Sequence, residues 1–395
     1  MPRILWGSPL PPTRSGIADY AAEILPHLAA RAEVEVLEPP GWRAPEPATW
    51  LAGLPRRPWD APAPAGSHTL LHLGNNPYHL WLAKRLRRSA AVAVLHDTIL
   101  HHLLVEEAAE DGDWRRFAVE LAEAHGRAGA ALAEARAWGY AGRLDPFLFP
   151  ARSVYLRHAT GVIVHTRAAE RDVAASCPGL RVRRVPLAVA EPSPGDRAAW
   201  RSRLGLRPRE FLLVHLGFLT PAKGLDVVLG ALAVLRWLEV AVRLVTVGEG
   251  SEAGAFEAAV AAGGLRDSVV TWGYASEEDL GGILAAADLG LVPRYPTAGE
   301  TSAAALRFFA AGRPVAVAGY GQFLELPREA ALRIAPGTAG IADLVRLVAH
   351  LAADAGARAA AGAAARRAWV EGKHDPAVAA GELLGALAEL ADDVA

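Results

Sequence analysis

The chain of 395 residues contains very little cysteine, asparagine, glutamine and lysine. Cys177 is the single cysteine, which excludes an internal disulfide framework and suits a reducing compartment. Amide side chains are restricted to Asn75, Asn76 and Gln322, and arginine greatly outnumbers lysine. This depletion is typical of a thermophile, but the Ala, Arg, Gly and Pro bias of a GC-rich genome explains it equally well.

Long apolar runs and an excess of charge are also lacking. No run approaches the roughly 18 residues of a membrane-spanning helix, and the apolar start of MPRILWGSPLPP is too short for a signal peptide. The formal net charge of −2 and the pI near 6.7 give no general attraction to nucleic acid. We therefore predict a cytoplasmic protein, at most resting on the inner face of a membrane, with no nucleic-acid partner.

What the chain does contain is a regular alternation of short apolar runs with longer segments of helical periodicity. One series extends from Ile4–Trp6 to Val182–Pro186, and a second extends from Phe211–Leu216 to Val315–Ala318. Between them, the proline and glycine of Ala188–Asp196 indicate a linker. The alternation is typical of βαβ units with parallel sheets. We predict an α/β fold of two doubly wound domains facing each other across a cleft, with ligands at the carboxyl ends of the strands.

The stretch Asp288–Val317 is the most informative part of the chain. An apolar strand leads into a polar loop that carries Glu300, and a helix follows that is capped by Thr301 or Ser302 and ends at Gly312. Such a turn directs free backbone N–H groups and the positive end of the helix at one point, where an anion can bind. An acid beside that point can hold hydroxyls while the amides hold phosphate. Sugar nucleotides offer both groups.

Other strand ends carry glycines, a rare lysine and a tyrosine. Gly16 lies in SPLPPTRSGIADY, and Gly217 and Lys223 lie in LGFLTPAKGLD, where a lysine beside a helix start suits a diphosphate. Gly248 in VGEG does not complete a G-x-G-x-x-G fingerprint, which argues against a nicotinamide enzyme. Tyr274 in WGYA could hold a base. The plain alternatives are a proline-rich turn for Gly16 and a solvated side chain for Lys223.

Histidines follow two of the predicted strands in the first half. His96 and Asp97 end VAVLHD, a position from which a parallel sheet contacts substrate. His101 and His102 follow in the next turn, so a zinc site is an alternative, but no H-E-x-x-H pattern and no cysteine or carboxylate cluster completes it. We therefore predict no metal. His165 ends VIVHT, where a structural and a functional role are equally open.

A basic cluster next to Trp81 consists of Lys84, Arg85, Arg87 and Arg88. It could rest on anionic lipid, which would give a peripheral membrane contact. A solvated basic helix face is the interpretation we favour.

Taken in order, these motifs resemble glycosyltransferase family 4, the retaining GT-B enzymes also called glycosyl transferases group 1. The motifs are SGIADY, LHD, VIVHT, VRRVPLAV, HLGFLTPAKGLD, VGEG, WGYASEEDL, AADLGLVP and GETSAAALRFFAAGRPVAV. The resemblance covers nearly the whole chain and implies three parts. Residues 1–188 would be an acceptor-side Rossmann-like domain, residues 189–368 a nucleotide-sugar donor domain, and residues 369–395 a segment that crosses back to the first domain.

The resemblance also implies a hexosyltransferase-like activity in polysaccharide or glycolipid biosynthesis, with no metal and no cofactor. A nucleotide-diphosphate sugar would donate to a carbohydrate, lipid-linked or small-molecule acceptor by front-side attack, with the leaving phosphate taking the acceptor's proton. Lys223 would bind the diphosphate, His96 would lie against the sugar, and the Glu300 loop would hold hydroxyls. The implied donor-binding residues are Gly16, Gly217, Lys223, Gly248, Tyr274, Glu300, Thr301, Ser302 and Arg307.

Two departures from the family pattern bear on the function. Phe218 stands where an arginine is usual, and Arg294 or Arg14 could supply the missing charge. Arg307 stands where a second glutamate is usual, so Glu300 is either a displaced first glutamate or a replacement for the pair, and Arg307 could meet phosphate instead. Two alternatives therefore stay open. One is a GT-B sugar-nucleotide epimerase or phosphorylase-like enzyme, and the other is a sugar-nucleotide-binding protein without transfer activity.

Overall fold

The computed structural model describes residues 1–46 and 48–392 and divides the chain into two α/β units. Unit 1 contains Met1–Ala188, Ala298–Thr301 and a C-terminal stretch that begins at Pro376. Unit 2 contains Val189–Thr297 and Ser302–Asp375. Position 47 and the last three positions of the predicted returning segment lie outside the described residues.

The secondary structure of the described residues alternates between strands and helices. The strands are β1 (Arg3–Gly7), β2 (Glu33–Glu38), β3 (Arg56–Pro58), β4 (Ser67–Leu73), β5 (Val92–Leu95), β6 (Gly161–Val164), β7 (Val182–Arg184), β8 (Phe211–Leu216), β9 (Val242–Val247), β10 (Val269–Gly273), β11 (Leu289–Val292), β12 (Val315–Ala318) and β13 (Ala331–Ile334). The helices are α1 (Gly16–Ala29), α2 (Leu80–Leu86), α3 (His101–Asp111), α4 (Trp114–Ala137), α5 (Asp145–Leu148), α6 (Arg152–Leu156), α7 (Arg167–Ser176), α8 (Arg197–Arg203), α9 (Leu225–Trp237), α10 (Ala253–Ala262), α11 (Glu277–Ala286), α12 (Ala303–Ala310), α13 (Gly340–Ala353), α14 (Ala355–Glu371) and α15 (Pro376–Asp392).

Unit 1 is built on a parallel sheet with the strand order β3-β2-β1-β4-β5-β6-β7. Its central strands are almost wholly buried, as expected for parallel strands covered by helices on both faces. The register pairs Trp6 with Leu70, Leu70 with Val92, and Val92 with Gly161. The carboxyl ends of β1, β4, β5 and β6 therefore meet at one edge of the sheet.

Unit 2 repeats this plan with a second parallel sheet of order β10-β9-β8-β11-β12-β13. The core on one face of the sheet is formed by apolar side chains such as Leu213, Leu244 and Leu291, against which Leu232 of α9 and Val348 of α13 pack. In both sheets the order reverses beside the first strand, between β1 and β4 and between β8 and β11. Ligands of open α/β sheets bind at this switch point, so the loops after β8 and β11 define the candidate ligand edge of unit 2.

The end of the chain is divided between the two units. Trp369 in α14 donates from Nε1 to the carbonyl of Val189 at 3.0 Å, so it belongs to unit 2. The return to unit 1 begins at Pro376, and α15 packs Leu390 against Gly161 of β6, where an added Cβ would lie 3.0 Å from the leucine. The prediction that the returning segment starts near Trp369 is therefore corrected to Pro376.

The basic cluster of α2 is occupied by ion pairs and backbone contacts. Lys84 Nζ contacts Glu110 and Asp111 at 3.0 and 2.7 Å, and Arg85 is buried and donates to the carbonyls of Trp59 and Ala61. Arg87 binds Glu107 at 3.0 Å and Glu120 at 2.6 Å, and only Arg88 of the four is exposed. A lipid-binding cluster and a solvated basic face are both wrong for the other three residues.

Replacing Arg87 by alanine is expected to destabilise unit 1 by about 3–5 kcal/mol, because Glu107 and Glu120 would stay buried without their main counter-charge. Urea denaturation would measure the change in the free energy of unfolding. Arg3→Ala is the matched control, since its ion pair with Glu33 is exposed on both sides and should leave the free energy of unfolding nearly unchanged. Equal losses for both variants would contradict the structural role of the network.

Candidate functional site

The carboxyl edge of the first sheet carries a cluster of aromatic and histidine rings. His72 lies near the end of β4, His96 follows β5, and His165 follows β6. His72 Nδ1 and His96 Nε2 are 2.9 Å apart, and the rings of His96 and His165 are centred 5.1 Å apart. Trp6 of β1 packs on His72 at 4.0 Å, and Tyr20 of α1 meets His96 edge-on at 5.1 Å. The predicted site residue His96 is thus part of a packed group, of which the sequence identified His96 and His165.

His72 and His96 are uncharged at neutral pH. Burial, reinforced by His165 and the other neighbouring imidazoles, holds the pKa of His72 and that of His96 well below the usual range. Burial also lowers the pKa of His79 to about 4 and raises that of the Tyr20 hydroxyl. His72 and His96 therefore offer hydrogen-bonding groups and ring surface at this edge of the sheet, and no positive charge.

The Glu300 loop packs on the loop that follows His96. The carbonyl of Ala298 accepts hydrogen bonds from Thr98 N at 2.9 Å, from Ile99 N at 3.2 Å and from Thr98 Oγ1 at 3.2 Å. Gly299 has a φ of +76°, and an added Cβ would lie 1.9 Å from Thr98 Oγ1, so only glycine fits. Glu300 itself is buried. Its assignment to a donor domain of residues 189–368 is wrong, because Ala298–Thr301 belongs to unit 1.

Gly16 and Asp97 are two further residues of unit 1 that the sequence analysis singled out. Gly16 begins α1 behind the cap Ser15, whose Oγ accepts from Ala18 N at 3.1 Å, and Gly16 is exposed with open space where a Cβ would stand. Asp97 accepts from the backbone N–H of Asn75 at 2.8 Å and so fixes the turn after β4. In the described part of the chain, no three His, Cys, Asp or Glu side chains are grouped to hold a metal ion.

In unit 2, the predicted glycines and lysine come together at the end of β8. Gly217 and Gly248 have φ values of +120° and +131°, and an added Cβ on Gly248 would lie 2.3 Å from the Gly217 carbonyl oxygen. Lys223 ends a 3-10 turn, and its Nζ lies 3.5 Å from the place of a Cβ on Gly217. The ammonium group therefore lies over a bare backbone turn at the carboxyl edge of the sheet.

Arg294 lies on a neighbouring loop that packs against the Lys223 turn. Tyr295 N donates to the carbonyl of Ala222 at 2.9 Å, and an added Cβ on Gly224 would lie 2.4 Å from the Pro293 carbonyl oxygen. The side chain of His215 in β8 is buried beside both cations. Burial first, and then the charges of Lys223 and Arg294, lower its pKa to about 3. Lys223 and Arg294 thus both act on His215, which the sequence analysis missed and which stays neutral beside them.

The remaining predicted residues lie around α12. Ser302, and not Thr301, caps this helix, because its Oγ accepts from Ala305 N at 3.2 Å. Arg307 is buried and lies 3.7 Å from Glu277 at the start of α11. Tyr274 is exposed and follows β10, three residues before Glu277. The ion pair directs Arg307 toward the helix that follows Tyr274.

Comparison with known proteins identifies a family that part of the chain resembles. Residues 210–354 match the family described as glycosyl transferases group 1. A stretch of 132 residues is 35% identical to a D-inositol 3-phosphate glycosyltransferase of Segniliparus rotundus, and 130 residues are 37% identical to the protein of that name in Mycobacterium sp. strain KMS. These stretches cover 32% and 33% of this chain and 29% of each relative.

Solved structures match over the whole length at low sequence identity. Sucrose-phosphate synthase from Thermosynechococcus elongatus superposes with a TM-score of 0.70 at 17% identity and covers 100% of both chains. HepE of Anabaena, in complex with UDP-glucose, superposes with a TM-score of 0.65 at 16% identity. The match covers 98% of this chain and 99% of the HepE chain. The predicted resemblance is confirmed: the chain is similar to the group 1 glycosyltransferases over residues 210–354, and its two α/β units have the GT-B fold.

Proposed function

We propose that this protein transfers a sugar from a nucleotide-diphosphate sugar to an acceptor hydroxyl, with retention of configuration and without a metal. The observation that supports this most directly is the pair of cations, Lys223 and Arg294, beside a glycine-lined turn at the carboxyl edge of β8. A diphosphate is the anion that two such charges, beside a turn without side chains, would bind.

In the proposed reaction, Lys223 and Arg294 hold the donor diphosphate and stabilise the charge that develops on it as the glycosidic bond breaks. His96, which is neutral, gives a hydrogen bond to the sugar, and the Glu300 carboxylate accepts hydrogen bonds from sugar or ribose hydroxyls. The acceptor attacks from the face that the diphosphate leaves, and the leaving phosphate oxygen takes the acceptor's proton. This route needs no protein nucleophile and no metal ion.

A panel of nucleotide sugars tests the proposal. Release of free nucleotide would be measured for UDP-, GDP- and ADP-sugars, with and without simple carbohydrate and lipid-linked acceptors. UDP-sugars are the first choice, because the structurally similar HepE was crystallised with UDP-glucose. Acceptor-dependent release with an α-linked product is expected from an α-linked donor. Tight binding without release would reject the transferase in favour of a binding protein, and conversion of the donor without acceptor would favour an epimerase.

In the proposed site, Arg294 supplies the positive charge that the family pattern has from an arginine at position 218. Position 218 carries the apolar side chain of Phe218, so it supplies no charge. Arg294 lies on the loop that abuts the Lys223 turn and acts on the same buried His215, whereas Arg14 belongs to unit 1. Arg294 is therefore the second diphosphate cation of the proposed site.

Arg294→Gln is expected to weaken UDP binding by about 10- to 100-fold, since a hydrogen bond to a charged group contributes about 1.5–3 kcal/mol. Calorimetry with UDP, and with uridine as the phosphate-free control, would measure the loss. Moving the arginine to its usual position in the double variant R294Q/F218R should restore most of the affinity. Arg328→Gln, an exposed arginine of unit 2, is the matched control. UDP affinity within twofold of wild type in Arg294→Gln would contradict the assignment.

The proposal also includes a cellular location. No helix in the described ranges is long and apolar enough to cross a membrane. The cytoplasmic location stays a prediction that rests on the single cysteine. A peripheral membrane contact through the α2 cluster is not part of the proposal, because Lys84, Arg85 and Arg87 are engaged within unit 1.

A further inference from the structure

His72 forms a hydrogen bond with His96 inside the cluster at the edge of the first sheet. Parallel pairing of β4 with β5 sets His72 opposite Val94, and His96 N continues the ladder to the carbonyl of Leu73 at 3.0 Å. The two ring nitrogens, His72 Nδ1 and His96 Nε2, are 2.9 Å apart, and His72 is fully buried against Trp6. This contact uses His96 Nε2, so Nδ1 is the ring nitrogen of His96 that is left for a ligand.

The surroundings decide which histidine donates. Both rings are neutral, so one proton lies between them. If His96 donated from Nε2, the proton of His72 would be on its own Nε2. That nitrogen is buried and has no hydrogen-bond partner among the described residues. A buried N–H without an acceptor is rare in folded proteins.

Two other buried histidines of unit 1 show the arrangement that this fold uses. His79 donates from Nδ1 to the carbonyl of His72 at 2.8 Å, and His101 donates from Nδ1 to the carbonyl of Phe149 at 2.7 Å. In both, Nε2 carries no proton and is buried with no partner in the described part of the chain. The same arrangement in His72 makes its Nδ1–H the donor and His96 Nε2 the acceptor.

We propose that His72 is a positioning residue that holds His96 as the Nδ1–H tautomer, so that His96 meets the donor sugar as a hydrogen-bond donor. The functional part of this inference rests on the proposed glycosyl transfer. His96 would then bind an oxygen that accepts, such as a hydroxyl oxygen or a phosphate oxygen. The residue His96 is 9% exposed, so it is not fully enclosed by the protein.

The tautomer can be measured without any substrate. The full chain would be labelled with 15N-histidine, and long-range 1H–15N correlation spectra would report the protonated nitrogen of His96, assigned by comparison with His96→Asn. Wild type should show Nδ1–H and bare Nε2. His72→Asn should keep this pattern, because the asparagine amide can donate from near the place of Nδ1, whereas His72→Phe should give a mixture. A wild-type His96 protonated on Nε2 would overturn the proposal.

Turnover separates this inference from the proposed function. His72→Phe should lower kcat by about 10- to 100-fold, with the donor KM nearly unchanged. Loss of the hydrogen-bond partner that orients a metal-bound histidine has an effect of this size on activity. His72→Asn should recover most of it, and His101→Asn, a buried histidine outside the cluster, should leave turnover and the His96 spectrum unchanged. A loss in His72→Phe that His72→Asn does not recover would reject the positioning role. Absence of transfer in wild type with the expected tautomer would reject the proposed function alone.

Discussion

Lys223→Ala is expected to weaken binding of a nucleoside diphosphate by about 2–5 kcal/mol, the largest effect on affinity of any single substitution in unit 2. The ammonium group lies over the bare turn at Gly217 and acts with Arg294 on the neutral His215. Removing it would leave the bound diphosphate partly buried with half of its counter-charge. Calorimetric titration with UDP, or with the nucleotide that the donor panel identifies, would measure the change.

The control for this variant is Lys373→Ala, because Lys373 is the other lysine of unit 2. Uridine should bind both variants as it binds the wild type, since it carries no phosphate. Raising the salt concentration should weaken UDP binding to the wild type more than to Lys223→Ala, because screening acts on the charge that was removed. Equal UDP affinity for Lys223→Ala and the wild type would show that the diphosphate site lies elsewhere.

The central strands could be predicted from the sequence, and so could the edge strand β7, whereas the edge strands β3 and β13 could not. Strands covered on both faces, such as β5, β8 and β12, are continuous apolar runs that stand out between polar turns. At the edges, β3 is the short polar segment RRP within a proline-rich excursion, and β13 is the four-residue segment ALRI. These two edge strands are short and carry arginine or proline, so their composition gives little strand signal.

Some residues of the candidate site could be predicted from local sequence, and others depend on contacts between distant parts of the chain. Gly217, Lys223, Gly248 and Ser302 could be predicted because turn and cap chemistry is local in sequence. The contact of His72 with His96 depends on the pairing of β4 with β5, and sequence periodicity does not fix this neighbour relation.

The placement of the Glu300 loop is the clearest long-range case. Ala298 is bonded to Thr98 across a separation of 200 residues, and this contact puts Ala298–Thr301 in unit 1. Motif order places Glu300 in the second half of the chain, where its flanking segments belong. The structure differs because three hydrogen bonds to the Ala298 carbonyl hold the loop on Thr98 and Ile99. Gly299 allows this contact, since a side chain at that position would collide with Thr98.

Glu300→Gln is expected to slow sugar transfer by about 100- to 1000-fold, with nucleotide affinity close to that of the wild type. The substitution keeps the size of a side chain that is 8% exposed, so the hydrogen bonds of Ala298 to Thr98 should survive. What is lost is a carboxylate that accepts strong hydrogen bonds from sugar hydroxyls as charge develops at the reacting carbon. Steady-state turnover and UDP titration on the same preparation would separate the two effects.

Glu329→Gln, an exposed glutamate of unit 2, should leave both quantities unchanged. Because Arg307 stands where the family pattern has a second glutamate, the sequence of this loop contains one acid, Glu300, and two roles are proposed for it, contact with the sugar and contact with the ribose. The two roles predict opposite outcomes. Loss of turnover at unchanged UDP affinity assigns Glu300 to the transferred sugar, whereas loss of UDP affinity at unchanged turnover would assign it to the ribose and contradict the catalytic role proposed for it.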